Sequence, residues 1–169
     1  MSRSFKYDLK YGKKFEIILY DKLKSLGVDV VDVSKNPKYQ KYDIDMVLNI
    51  NNKKLTMEIK ADKRISKTRN IFVEDVMERK NGDKDGWLHY CRCDILCYVD
   101  DYNDIAYLVN WVKLRKFVLN EDESKKYYRR FYNKADNCYA GGYLIPLKFL
   151  RENDYIFRCI ILEKEKENG

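Results

Sequence analysis

Asp43, Asp45, Glu58 and Lys60 combine acidic and basic side chains at a spacing that could do phosphate chemistry. Ile44, Met46, Leu48 and Ile50 alternate with polar residues, as do Leu55, Met57, Ile59 and Ala61. That period of two marks two strands, and Asn51-Asn52 between them suits a tight turn. A hairpin centred on this turn sets Asp45 opposite Glu58 and Asp43 opposite Lys60. All four then share one face, with cross-strand Cβ atoms about 4.5–5.5 Å apart, while Ile44, Met46, Leu48, Met57, Ile59 and Ala61 form an apolar opposite face. Opposed carboxylates repel unless a cation lies between them. A hard divalent ion such as Mg²⁺ or Mn²⁺ takes carboxylate oxygens together with water and substrate phosphate. Lys60 would then orient or help activate a water and offset charge developing on phosphate. The competing reading is a solvated face with a cross-strand Asp–Lys pair worth well under ~1 kcal/mol.

These residues need elements to hold them. Phe15, Ile18, Leu19, Leu23 and Leu26 recur at helical spacing and predict a helix over 10–27 closed by Gly27. Glu16 sits at the edge of that stripe, a costly place for a carboxylate without a partner. Residues 28–33 read as a strand, 34–41 as a polar loop, and 42–62 as the hairpin. A basic loop over 63–70, a short strand over 70–74 and a turn over 81–86 follow. Strands are expected at 93–99 and 105–110, helices at 111–119 and 121–134, a loop at 138–142, and strands at 143–146 and 156–162. The fold class is α/β, a mixed central sheet flanked by helices. The chain reads as a single domain over 1–169, with its core at about 10–118, an elaboration at 119–162 and a charged tail at 163–169.

Asp45, twelve intervening residues, then Glu58-Ile59-Lys60 resembles the active-site pattern of the PD-(D/E)XK nuclease superfamily. Further segments extend the likeness to a phage- and bacterial-type branch. Tyr39 to Asp45 with Gln40 resembles its Q-x-x-x-I-D entry, and Met57 to Asp62 its IEVKAD strand. Asn70 to Glu74 resembles GNIFIE, and Gly86-Trp87 followed by Cys93 to Leu96 resembles GW…ADY. Together they cover roughly residues 12–115. The resemblance implies a restriction-endonuclease-like core and Mg²⁺- or Mn²⁺-dependent hydrolysis of DNA, with endonucleolytic cleavage expected. It implies Asp45, Glu58 and Glu16 as metal ligands and Lys60 as the fourth catalytic residue. One departure stands: Ile44 occupies the position of the usual Pro, which leaves Asp43 as a rival to Asp45. Gln40 resembles a residue that some members place near the site. Glu74 could approach from the next strand or pair with Arg79 or Lys80, and Asp94 could cap a strand end. A non-cleaving nucleic-acid-binding module and an RNA endonuclease are the alternatives. RNA endonucleases of the cap-snatching kind usually add a metal-binding His near the first helix, and none is present there.

Charge is compatible with a polyanionic partner, and the resemblance implies DNA rather than RNA. The 169 residues carry 34 Lys plus Arg against 27 Asp plus Glu, a net +7. From Lys113 to Lys134 there are eight basic and three acidic residues, interleaved with Tyr127, Tyr128, Phe131 and Tyr132. Lys125, Lys126, Arg129 and Arg130 are therefore candidates for backbone contact. The single histidine, His89, argues against a Ser-His-Asp or Cys-His hydrolase. Zinc would want Cys-x-x-Cys pairs or more histidines than this. Cys91, Cys93 and Cys97 share strand parity and read as small core residues on one face. Five cysteines, an odd number, with no signal-like N-terminus predict reduced thiols and an intracellular setting. No apolar run approaches the ~18 residues of a membrane span. A composition rich in Lys, Asn, Ile and Tyr fits an AT-rich genome such as that of a virus, phage or mobile element. Resolving a DNA junction would require a homodimer, and no dimer surface stands out in the sequence.

Overall fold

The computed structural model describes residues 3–133 and 137–162. The tail 163–169 and Lys134 lie outside the described residues. Helix α1 spans Arg3–Ser25 and buries Phe15, Leu19 and Leu23. It stops at Gly27, whose φ of 76° is open to glycine at little steric penalty. Val28 N–H reaches back to Leu23 C=O at 3.0 Å, and Gly27 N–H to Lys24 C=O at 2.9 Å, which closes the end as a Schellman turn. Leu26, predicted to lie in the apolar stripe, falls beyond the last full turn and is exposed.

Strand β1 (Asp29–Asp32) leads to the one-turn helix α2 (Pro37–Gln40), which is capped by Asn36 and stands where a loop was expected. Strands β2 (Met46–Ile50) and β3 (Lys53–Ala61) form the hairpin in the predicted register, from Met46 opposite Met57 to Ile50 opposite Lys53. Asn51 and Asn52, at φ 50° and 63°, supply the two left-handed residues of a type I′ turn. The one-turn helix α3 (Ile65–Thr68), β4 (Asn70–Glu78), β5 (Lys84–Asp85) and α4 (Trp87–Tyr90) follow. Then come β6 (Ile95–Asp100), β7 (Ile105–Asn110) and α5 (Trp111–Asn120). A 3₁₀ segment (Asp122–Tyr127), β8 (Tyr128–Asn133), β9 (Cys138–Pro146), α6 (Leu147–Glu152) and β10 (Ile156–Ile161) complete the order.

Among the described residues, six strands form a central mixed sheet in the order β1-β2-β3-β6-β7-β10. Only the β3–β6 pair is parallel. The strands β5-β4-β9-β8 form a second, antiparallel sheet. Helix α1 covers one face of the central sheet through Met46, Leu48, Met57, Ile59, Cys97 and Val99. The second sheet and α5 cover the other face through Ile71, Val73, Leu96, Tyr98, Trp111 and Phe117. The architecture is α/β, a mixed central sheet flanked by helices.

Four local expectations fail for identifiable reasons. The helix expected over 121–134 is replaced by a 3₁₀ segment over 122–127 and a strand over 128–133. Tyr128 packs edge-on against Tyr143 and Tyr132 lies tilted against Tyr139 across the strand pair, with ring centroids 5.2 and 5.1 Å apart, so the aromatic spacing serves a sheet. Residues 138–142 are strand rather than loop. A Cβ on Gly142 would meet Val73 O at 2.3 Å, so the glycine admits the neighbouring backbone rather than breaking the strand. Ile44 does not join Met46 on the α1 side. Asp43 is left-handed at φ 54° and regular pairing starts only at Met46, so Ile44 packs on the opposite side of the sheet. The three cysteines split likewise: Cys91 and Cys93 precede β6 and face the second sheet, while Cys97 faces α1.

Candidate active site

Strand β3 lies third in the central sheet, hydrogen-bonded on both sides. Its alternation sends Met57 and Ile59 toward α1 and Glu58 and Lys60 toward the opposite layer. Glu58 is only 4% exposed. Burial pushes its carboxyl up to about 10, and the nearby Asp43 and Asp45 carboxyls add to the rise against the pull of Lys60. Lys60 Nζ lies 2.5 Å from Glu58 Oε1 and 2.7 Å from Asp43 Oδ2, and it stands 5.3 Å from the centre of the Trp87 ring. Burial works against its charge, yet the Glu58 and Asp43 carboxylates more than offset that and hold the ammonium above its usual range.

Asp45 sits at the mouth of the hairpin, one residue ahead of β2. Its N–H donates to Met57 C=O at 2.9 Å, and its C=O accepts from Val33 N–H at 2.8 Å, so the backbone is fixed between β1 and β3. Its Oδ2 accepts from Ile59 N–H at 3.0 Å. Burial raises its pKa, against hydrogen bonds from the Glu58 carboxyl and the Ile59 amide. Asp45 and Glu58 are thus a hydrogen-bonded carboxyl pair, and Asp43 is the ion-pair partner of Lys60. The strained backbone at Asp43 aims that carboxylate at the ammonium.

Glu16 comes from α1, on the far side of Asp45. It is half-buried, and burial raises its pKa, with a hydrogen bond from Lys13 opposing and the Asp45 charge adding. Lys13, one turn earlier, contacts the Glu16 carboxylate and donates to Ser34 Oγ at 2.9 Å, with Asp32 Oδ2 at 3.6 Å. This Lys13–Glu16–Asp32 group escaped the sequence reading, although the three-residue spacing of Lys13 and Glu16 on a helix was its signal. Tyr90 was missed as well: burial and the Asp43 charge raise its hydroxyl pKa, which puts it beside the cluster. Among the described residues, no three His, Cys, Asp or Glu side chains converge tightly enough to enclose a metal ion unaided.

The remaining candidates are dispersed. Gln40 is exposed and donates its Nε2 to Ser34 C=O at 2.8 Å, which ties α2 back to the chain after β1. Lys125 pairs with Asp122 at 2.6 Å and Lys126 with Glu123 at 2.5 Å. Arg130 donates Nε to Glu78 at 2.8 Å, and Arg129 donates to the carbonyls of Lys126 and Tyr128. Asp94 caps a strand end, accepting from the Thr56 amide and hydroxyl at 2.8 Å each. His89 pairs with Asp75 at 2.7 Å. No described helix is long and apolar enough to cross a membrane.

No protein-family model and no curated protein matches the chain. Among solved structures it is similar to a bacterial homing endonuclease, I-Ssp6803I. The TM-score is 0.47 at 14% identity, covering 62% of this chain and 70% of the other. Nothing about the chemistry of this chain follows from a likeness of that size.

Proposed function

We propose that the protein is a metal-dependent nuclease of the restriction-endonuclease-like kind that hydrolyses phosphodiester bonds in DNA, acting as an endonuclease. The observation that carries this reading is the half-buried Asp45 carboxyl beside the buried Glu58 carboxyl, with the Lys60 ammonium next to Glu58 on the central strand. Asp43, Asp45 and Glu58 set three carboxyls around one ammonium, and burial with the acidic neighbours pushes Glu58 toward its protonated form against the pull of Lys60. A divalent cation would offset the same acidic neighbours, so the residues fit Mg²⁺ or Mn²⁺. Asp45 and Glu58 would hold it, with water and substrate oxygens completing the shell. Bound there, the ion supplies Lewis acidity toward phosphate and a lowered pKa for water.

The side chains divide the remaining work. Water attacks phosphorus in line with the departing oxygen. Lys60, held by Asp43 from one side, donates to the phosphoryl oxygens as their charge grows, or to the attacking water. Asp43 is thereby the residue that positions Lys60, which leaves Asp45 as the ligand. Glu16, anchored by Lys13, can accept a hydrogen bond from a water at the outer edge of the site or bind a second ion. Incubation with labelled duplex, single-stranded and branched DNA and RNA, each with Mg²⁺, Mn²⁺ or EDTA, tests the proposal. Metal-dependent DNA products support it; DNA binding without products in either metal overturns it in favour of a non-cleaving module.

A further inference from the structure

Within the basic run that stood out in the sequence, Lys125, Lys126 and Arg130 each carry a close carboxylate partner, from Asp122, Glu123 and Glu78 respectively. A different basic surface begins just past Lys60. Strand pairing continues to Asp62, whose N–H donates to Val99 C=O at 3.4 Å, and the chain then turns through α3. Arg64, 78% exposed, has its nearest carboxylate at 3.9 Å, and Arg69, 53% exposed, at 4.0 Å. Lys67 is exposed on the same turn. Lys148, 82% exposed, stands 3.7 Å from Glu152, and Arg151 lies on the same short helix, its guanidinium 5.5 Å from the Tyr107 ring centre.

The geometry joins these cations into one track. Leu147 N–H donates to Arg69 C=O at 2.8 Å, which fixes the start of α6 against the end of α3. A cleft of about 580 Å³ at this junction is lined by Arg69, Lys148 and Arg151, with Thr68 and Asn70. A second cleft of about 540 Å³ shares Thr68 and Asn70 and runs on past Arg64 to Asp62 and Glu74. The two share Thr68 and Asn70, so together they run as a groove from Asp62, two residues past Lys60 in the chain, to the α3–α6 junction. The carboxylates nearest Arg64, Arg69 and Lys148 stand at 3.7–4.0 Å, farther than the 2.5–2.6 Å of the Lys125 and Lys126 pairs. Exposed guanidinium and ammonium groups can neutralise backbone phosphates and so release the counterions condensed on the DNA.

We infer that the α3–α6 groove, through Arg64, Arg69, Lys148 and Arg151, is where the DNA phosphate backbone flanking the scissile bond is held. This inference rests on the nuclease reading for its polyanionic substrate. The test is fluorescence anisotropy with a labelled duplex in EDTA, where nothing is cut, across a salt series. The variants are R69A/R151A, R64A/K148A and, for comparison, R129A/R130A, each checked for native circular dichroism. The expected result is at least about tenfold weaker binding for each groove pair, and a log–log salt slope flattened by up to about 2. R129A/R130A should stay within about twofold of wild type. Unchanged affinity and slope in both groove pairs overturns the inference, as does a loss confined to R129A/R130A, while metal-dependent cleavage by wild type would keep the nuclease reading intact. The reverse pattern, groove pairs that weaken binding in a protein that never cleaves, supports the groove and overturns the nuclease reading.

Discussion

Replacing Glu58 by Gln should make the metal-free protein more stable while removing its activity. The wild-type carboxyl moves from an ordinary 4.5 to about 10 on folding. A raised folded-state value means that the acid stabilises fully below pH 4.5 and that stability is lost as pH climbs from there toward 10. At pH 7 the folded group still holds its proton and the unfolded group has released it. The interval above 4.5 is then about 2.5 units, or about 3 kcal/mol at 1.36 kcal/mol per unit. Water entry and side-chain relaxation reduce this to about 1–3 kcal/mol. The replacing amide cannot ionise, yet it keeps an oxygen for Lys60 and an N–H for Asp45. At about 2–4 °C per kcal/mol for a chain of this size, Glu58→Gln should raise Tm by about 3–10 °C in EDTA at pH 7. The gap to wild type should widen from pH 5 to pH 8. Calorimetric melts of both proteins across that range measure it. A variant that melts lower than wild type at pH 7, or a gap that ignores pH, would refute the claim that Glu58 is a strained acid awaiting a cation.

Mn²⁺ binding to wild type should release about one proton at neutral pH, the one Glu58 holds, and should tighten as pH rises. Titration calorimetry in buffers of different ionisation enthalpy reads this, and Glu58→Ala should bind at least about tenfold more weakly. Glu16→Gln should slow single-turnover cleavage by about 10–100-fold while leaving duplex affinity in EDTA unchanged, as expected of a residue acting through ordered water. Gly142→Ala, whose Cβ would meet Val73 O at 2.3 Å, should destabilise the second sheet by about 1–3 kcal/mol in denaturant titrations without altering Mn²⁺ affinity.

The hairpin was legible because its signals are local. Period-two alternation and the Asn51-Asn52 turn specify the register, which sets the start of β2 beside Met57 and so brings Asp45 and Asp43 near Glu58 and Lys60. Helix α1 was legible from its apolar stripe and Gly27, and the same stripe placed Glu16 at its margin. What failed depends on partners distant in sequence. Tyr128 to Tyr132 read as helix because nothing nearby shows that Tyr143 and Tyr139 will lie across from them. Gly141-Gly142 read as a loop because the close approach of β4 is a tertiary fact. The swing of Ile44 to the far side accompanies a left-handed Asp43, whose carboxylate meets Lys60, 17 positions on. The charge run at 113–134 was counted from local sequence, which could not show that Arg130 meets Glu78, 52 positions away.

The most direct test of the central claim is single-turnover cleavage of one labelled DNA by wild type and Lys60→Ala, beside gel-shift binding of the same DNA. Lys60 shares its face of β3 with Glu58 and is placed to act on charge that appears only in the transition state. Wild type should yield product with Mg²⁺ or Mn²⁺ and none with EDTA. Lys60→Ala should bind the DNA within about threefold of wild type yet cleave it at least about 10²-fold more slowly. Equal cleavage rates for the two proteins, or wild-type product that persists in EDTA, would contradict the account.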